Sequence, residues 1–293
     1  MNGSTDELAT LETPSGKGAG DENFPVGSFL LPRRLRPHVT RYYAFARAID
    51  DIADNPTLAA EEKVARLEAF AAAIHGKVSS AGLEKATRLR ESLLVTKVPL
   101  HHASDLTVAF IQDARKGRYA DWAELMGYCE NSANPVGRYL LALHGETDAA
   151  AYAASDALCS ALQVLNHLQD CGDDYRSLDR VYLPQDWIAA EGARTEDLAG
   201  PALTPTLRRV LDRCLAATDA LIAEARPLAG LLRPRRLAME SAAIWRIARR
   251  LSALLKARDP LARRVQLSKA RFLACGLGGA AAALLRLAEG RRP

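Results

Sequence analysis

Apolar segments of helical length follow one another along most of the chain, and proline or glycine separates them. Only 6% of the residues are aromatic, whereas Ala, Leu and Arg recur throughout. This bias favours helices over strands, which prefer β-branched and aromatic residues. With 48% hydrophobic residues, a chain of 293 residues can bury a substantial core. The sequence therefore predicts an all-α fold, with helices packed around a central cavity in a single domain.

The apolar segments also locate the helices along the chain. We predict helices at residues 38–54, 61–77, 101–116, 121–129, 135–144, 149–178, 204–226, 234–258 and 267–287. Residues 1–21 are polar and acidic, without the basic and apolar segments of a secretory signal. We predict that they form a disordered leader and that the helical domain extends over residues 22–293.

Two clusters of aspartate lie within the apolar segments. Asp50 and Asp54 are four residues apart, as are Asp170 and Asp174, so each pair shares one face of a helix. Like charges at this spacing destabilise an isolated helix by about 0.2–0.5 kcal/mol. One such pair is typical of a solvated helix face, but buried carboxylates require cations as partners. Because Mg²⁺ prefers carboxylate oxygens and shares its remaining positions with phosphate groups, the two pairs predict a magnesium and diphosphate site.

Basic and amide side chains accompany both clusters. Arg47 lies one turn before the first cluster, and Arg180 follows the second. Both are candidates to bind phosphate oxygens. Alternatively, Arg47 forms an ion pair with Asp51, and Arg180 lies on the surface. Gln163 and Asn166 fall close to the helix face of the second cluster, where they could orient water or diphosphate, or serve as amides in helix packing.

Composition argues against several other functions. The net charge of +4 is small, and Arg is dispersed rather than clustered, which gives no indication of nucleic-acid binding. The five cysteines are scattered and never spaced as Cys-x-x-Cys, and the adjacent His101 and His102 diverge on a helix. Neither a disulfide framework nor a zinc site is therefore predicted. This cysteine usage is typical of a reducing, cytoplasmic compartment.

An uncharged segment lies near the end of the chain, from Phe272 to Leu285. It is shorter than the roughly 20 residues that span a bilayer. We predict a terminal core helix. The alternative is a helix that lies on a membrane surface.

The residues around both clusters resemble a known family. The segments YAFARAIDDIAD and QVLNHLQDCGDDYRSLDRVYLP, together with YCENSANPVG and the Arg263-Arg264-Val265 motif, are similar to the squalene and phytoene synthase family of head-to-head prenyl synthases. The resemblance extends over about residues 22–272. It implies an isoprenoid synthase-type helical fold and Mg²⁺-assisted ionisation of a prenyl diphosphate.

The resemblance also implies roles for individual residues. The implied metal ligands are Asp50, Asp54, Asp170 and Asp174. The implied catalytic residues are Tyr43, Arg47, Asn166 and Arg180. The implied substrate contacts are Phe24, Arg47, Tyr128, Asn134, Gln163, Asn166, Arg180, Tyr182 and Arg264. Phe24 and Tyr43 are the expected aromatic walls around a carbocation, although both could be ordinary core residues.

Within the family, the segments ENFPVGSFLLPRRLRP, SANPVG and NHLQD resemble the bacterial hydroxysqualene synthases of hopanoid biosynthesis. This implies presqualene diphosphate and water as reactants, and pathway neighbours that make presqualene diphosphate and reduce hydroxysqualene. Gln169 stands where condensing relatives carry Arg, which disfavours but leaves open a synthase that joins two prenyl diphosphates. A noncatalytic relative, such as an assembly factor, is a third alternative. Because a C30 product must reach a bilayer, we expect a cytoplasmic protein with peripheral contact at the inner membrane.

Overall fold

The computed structural model describes residues 31–289. Every regular element in this part of the chain is a helix, and its one β-type contact is an isolated pairing between Arg118 and Val181. The predicted all-α fold is therefore confirmed. The described part of the chain divides into two compact units, with the division between Lys116 and Gly117. Phe24 and the predicted leader lie outside the described residues.

The first unit contains the helices that precede residue 117. They are α1 (Arg36–Ala53), α2 (Ala60–Ile74), α3 (Glu84–Thr96) and α4 (His101–Arg115). Phe45 of α1 and Phe70 of α2 are fully buried, and their ring centroids lie 6.1 Å apart. The Tyr42 hydroxyl donates to the backbone carbonyl of His102 at 2.7 Å and so connects α1 to α4. These aromatic contacts fix α1, the helix that carries the first aspartate cluster.

The second unit contains the remaining helices. They are α5 (Trp122–Ser132), α6 (Asn134–Leu143), α7 (Ala149–Leu178), α8 (Gln185–Ala190), α9 (Pro205–Glu224), α10 (Leu228–Leu231), α11 (Arg235–Ala257) and α12 (Lys269–Glu289), with a short 3-10 helix at Thr195–Ala199. Proline stands in the first turns of α6 and α9, where its missing backbone N–H removes no helical hydrogen bond.

The longest helix, α7, carries the second aspartate cluster. It begins after Asp148, whose side chain accepts a hydrogen bond from the backbone N–H of Ala150 at 2.9 Å. It ends at Asp179, which adopts the left-handed conformation with φ of 50°. Between these two caps, small and branched apolar residues recur at helical spacing and form the buried face of the helix. Asp170 and Asp174 lie at the half-buried border of this face.

The C-terminal helix α12 packs on α11 where Gly279 approaches the backbone of Ala243. A Cβ atom at position 279 would lie 2.5 Å from Ala243 Cα, so this close crossing requires glycine. Leu273 and Leu277, one turn apart, are 63% and 73% exposed. This exposure contradicts the prediction of a terminal core helix for residues 273–277 of α12, and the alternative, contact with a membrane surface, stays a prediction. None of the helices between residues 31 and 289 is both long and apolar enough to cross a membrane.

Candidate active site

Four predicted residues follow one stripe along α1 and its C-terminal end. They are Tyr43, Arg47, Asp50 and Asp54, and each is half-buried. The spacings of four, three and four residues bring these side chains to one helix face. The first unit therefore has a phenol, a guanidinium and two carboxylates along one half-buried helix face.

Arg47 lies between two carboxylates of α1. Its Nη1 is 2.8 Å from Asp50 Oδ2, and its Nη2 is 2.8 Å from Asp51 Oδ1. The Asp51 side chain is 8% exposed, whereas that of Asp50 is 29% exposed. The alternative for Arg47, an ion pair with Asp51, is therefore confirmed. It is compatible with phosphate binding, because a guanidinium has five N–H donors and the two pairs fix its position on the stripe.

A second polar stripe runs along α7. Its members are Gln163, Asn166, His167, Asp170 and Asp174, and each is half-buried. The leucines between them, Leu165 and Leu168, are at most 1% exposed. The shared face predicted for the two amides and the two aspartates is confirmed. His167 was not among the predicted site residues, although its position four residues after Gln163 is a signal for the same face.

The pKa of the Asp170 carboxyl is raised above its ordinary value. Burial raises the pKa of this carboxyl, Arg264 lowers it, and the neighbouring charges of Asp174 and Asp173 raise it. Arg264 Nε lies 3.6 Å from Asp170 Oδ1, so the predicted Arg264 does join the second cluster. A further cation beside Asp170 would relieve the repulsion among the three carboxylates. Asp170 is therefore a candidate ligand for a cation.

An aromatic group lies against the second stripe. It consists of Tyr119, Tyr128, Tyr182 and the ring of His167. His167 and Tyr182 stack with ring centroids 3.5 Å apart and planes 13° apart. Tyr119 stacks on Tyr182 at 5.5 Å, and Tyr128 tilts against both tyrosines at 5.4 Å. Two predicted substrate contacts, Tyr128 and Tyr182, are thus brought together beside the second cluster.

Two extended segments, one around Arg118 and one around Val181, pair with each other and hold Tyr182 in place. The backbone N–H of Val181 donates to the Gly117 carbonyl at 2.8 Å. Position 117 requires glycine, because a Cβ there would lie 2.6 Å from the Asp179 carbonyl oxygen. Arg180, between these contacts, is only 7% exposed, so the alternative of a surface position for it is wrong. The same backbone pairing therefore positions both Arg180 and Tyr182.

Asn134 lies at the start of α6, in the packing between α6 and α7. It is 7% exposed, and its Oδ1 accepts a hydrogen bond from Ser160 Oγ at 2.9 Å. This bond is part of helix packing. A contact between Asn134 and substrate stays a prediction.

Gln169 connects α7 to the Arg263-Arg264-Val265 segment. Its Nε2 donates to the Val265 carbonyl at 2.5 Å. Gln169 is 3% exposed and Val265 is fully buried, so the bond is shielded from water. The bond fixes the neighbouring Arg264 beside the second cluster. The sequence indicated only the absence of a positive charge at this position and gave no sign of its role as a tether.

We expect Gln169→Leu to lower the free energy of unfolding by about 1–3 kcal/mol, because the buried Val265 carbonyl loses a hydrogen-bond donor. Urea unfolding of the purified variant measures this change. Gln185→Leu is a suitable control, since it removes only a local bond to the Leu183 carbonyl at 3.3 Å. Equal unfolding free energies for the two variants would contradict the role of Gln169 as a tether.

Known proteins are similar to this chain in sequence and in fold. The squalene/phytoene synthase family matches residues 18–271. A hydroxysqualene synthase of Rhodopseudomonas palustris is 41% identical over 96% of both chains, and one of Sinorhizobium fredii is 40% identical over 92% of both chains. The crystal structure of squalene synthase HpnC from Alicyclobacillus acidocaldarius matches 82% of this chain and 90% of its own, with 32% identity and a TM-score of 0.70. The chain therefore belongs to the squalene/phytoene synthase family.

Proposed function

We propose that the protein is a hydroxysqualene synthase, which converts presqualene diphosphate and water to hydroxysqualene and diphosphate. Relatives of that name with 41% and 40% identity support the assignment. The observation on which it rests is the polar stripe of α7, where amides and an imidazole lie on the same face as two carboxylates. Such a stripe suits a reaction in which a diphosphate leaves and water enters.

Mg²⁺ is the cofactor of this proposal, and the pair Asp50 and Asp54 and the pair Asp170 and Asp174 would each supply carboxylates to bound ions. When bound, it neutralises negative charge on the departing diphosphate. The donors fit, because the Asp50, Asp170 and Asp174 side chains are 29%, 33% and 21% exposed and so accessible to an ion that keeps part of its water. Within residues 31–289 no three His, Cys, Asp or Glu side chains form a metal-binding group. One or two protein carboxylates are the usual number for Mg²⁺.

Arginine side chains supply fixed positive charge. When the bond between carbon and the diphosphate oxygen breaks, its electron pair leaves with the diphosphate, where negative charge then grows. We propose that Arg47, Arg180 and Arg264 stabilise this negative charge. Arg180 is 7% exposed, so water screens its charge less than at the surface. The half-buried amides of Gln163 and Asn166 orient the diphosphate through hydrogen bonds.

Aromatic side chains shield the carbocation that remains. It must rearrange before bulk water reaches it, and the negative face of an aromatic ring stabilises a nearby cation. Tyr43 in the first unit is half-buried, and Tyr128 and Tyr182 in the second are 3% and 8% exposed. These are the candidates in the described part of the chain. The same role for Phe24 stays a prediction.

Product analysis tests the proposal. Purified protein with Mg²⁺ and presqualene diphosphate, but without NADPH, is expected to give hydroxysqualene by mass spectrometry. Farnesyl diphosphate alone is expected to give no product. If the protein instead made presqualene diphosphate or phytoene from prenyl diphosphates, or squalene with NADPH, it would be one of the condensing enzymes.

The chemistry of substrate and product defines the neighbouring steps. A condensing enzyme must supply presqualene diphosphate, and a reductase must consume hydroxysqualene. Because a C30 product partitions into lipid, we place the enzyme in the cytoplasm with peripheral contact at the inner membrane. The exposed Leu273 and Leu277 of α12 support such a contact.

A further inference from the structure

Both ring nitrogens of His167 face polar groups of α7. Its Nε2 lies 3.1 Å from Gln163 Nε2, one turn earlier in the helix. Its Nδ1 lies 3.9 Å from Asp174 Oδ2, two turns later. The Gln163 amide can donate a hydrogen bond only to an unprotonated His167 Nε2. In that arrangement a neutral His167 ring carries its proton on Nδ1, on the side of the Asp174 carboxylate.

Two tyrosine rings fix the plane of the His167 ring. The Tyr182 ring stacks on it with centroids 3.5 Å apart, and the Tyr128 ring tilts against it at 5.9 Å. Tyr182 is itself held by the backbone bond from Val181 to Gly117. A molecule bound to His167 Nδ1 therefore has a defined position and direction.

On the Nδ1 side of His167, a water molecule would have two polar partners, the imidazole and the Asp174 carboxylate. A separation of 3.9 Å is too long for a direct hydrogen bond between His167 and Asp174, and polar groups at such separations are often bridged by water. The two side chains are 11% and 21% exposed, so the position is accessible but largely enclosed. The carboxylate of Asp170 lies on the same face of α7, three residues further along.

From this geometry we infer that His167, positioned by Tyr182 and Gln163, holds the water molecule that ends the reaction. The inference rests on the function proposed above. In the last step, a lone pair of the water oxygen forms the new C–O bond to the rearranged carbocation. One proton of that water then passes to an oxygen of the diphosphate that left in the first step. No oxidant or reductant is required.

The presence of a bound water molecule beside the cation determines which product forms. A carbocation in an apolar pocket can either capture water or lose a proton from a neighbouring carbon, which gives a hydrocarbon with one more double bond. Capture is faster only when an oxygen lies beside the cation when the rearrangement ends. His167 is therefore a residue that determines product specificity, whereas ionisation of the substrate depends on the carboxylates and arginines.

His167→Phe tests this role, because phenylalanine keeps an aromatic ring against Tyr182 but has no ring nitrogen. We expect the variant to consume presqualene diphosphate at a rate within about tenfold of the unchanged protein. The ratio of hydroxysqualene to hydrocarbon products should fall by about tenfold or more, as expected from losing one oriented hydrogen bond. His75→Phe, at an exposed histidine after α2, is the matched control and should leave this ratio unchanged.

Two readouts separate this inference from the proposed function. If the unchanged protein makes no hydroxysqualene, the proposed function itself is wrong. If the unchanged protein makes hydroxysqualene and His167→Phe still makes it alone, at any rate, the role of His167 is wrong. His167→Leu, which also lacks ring nitrogens, replaces the phenylalanine variant if circular dichroism shows that the latter is unfolded, and the same shift in products is expected.

Discussion

Asp170→Asn is expected to lower kcat by about a thousandfold, which corresponds to about 4 kcal/mol of transition-state stabilisation. The amide retains the size of the side chain but loses the charge that a bound Mg²⁺ requires. The fold should survive, because the change removes repulsion with Asp174 and Asp173. Steady-state turnover of presqualene diphosphate measures the effect, and thermal unfolding verifies the fold. Asp50→Asn in the first cluster has the same expected outcome.

Asp173→Asn is the matched control for the second cluster. It removes the same charge from the same helix, but its side chain is 71% exposed and pairs with Arg176. We expect turnover within about twofold of the unchanged protein, since a charge at an exposed position is well screened. Unchanged turnover in Asp170→Asn, or an equal loss in the control, would contradict the assignment of Asp170 to the metal.

Arg47→Ala is expected to lower both turnover and stability. The variant loses a guanidinium assigned to the leaving diphosphate, and removal of one such donor typically lowers kcat by about a hundredfold or more. It also removes the arginine that pairs with Asp51, which is 8% exposed. Removing one partner of a buried pair costs about 3 kcal/mol of unfolding free energy. Turnover assays and urea unfolding measure the two effects independently.

Two variants distinguish the charge of Arg47 from its geometry. Arg47→Lys keeps the charge but cannot reach Asp50 and Asp51 at the same time, so it should recover stability only in part. Arg41→Ala, at an exposed position on the same helix, should change neither turnover nor stability. If Arg47→Ala lost no more turnover than Arg41→Ala, the assignment of Arg47 to the active site would be wrong.

Local features of the sequence were sufficient to predict α7 with its observed bounds, residues 149–178. Its apolar period continues over thirty residues, with Asp148 as a cap at one end and Asp179 at the other. By contrast, α3 was not predicted. Its segment is rich in charge, and its buried Leu89 and Leu93 form only a narrow apolar face. A short helix of this kind owes its stability to tertiary packing rather than to its own propensity.

In the candidate site too, the sequence predicted what one helix determines by itself but not the contacts that depend on tertiary packing. Spacing along one helix placed Gln163 and Asp170 on a shared face, because helical geometry alone determines it. The bond from Gln169 to Val265 joins residues 96 positions apart. The stack of Tyr182 on His167 likewise depends on a backbone pairing outside α7. Periodicity within one helix contains no information about which distant segment packs against it.

The most direct test of the proposed chemistry is a reaction in water that carries a heavy oxygen isotope. Purified protein, Mg²⁺ and presqualene diphosphate are incubated without NADPH, and the product is weighed by mass spectrometry. We predict hydroxysqualene with one labelled oxygen, because the hydroxyl comes from water and the original C–O bond is broken. An unlabelled alcohol, a hydrocarbon as the sole product, or no consumption of presqualene diphosphate would contradict the proposed reaction.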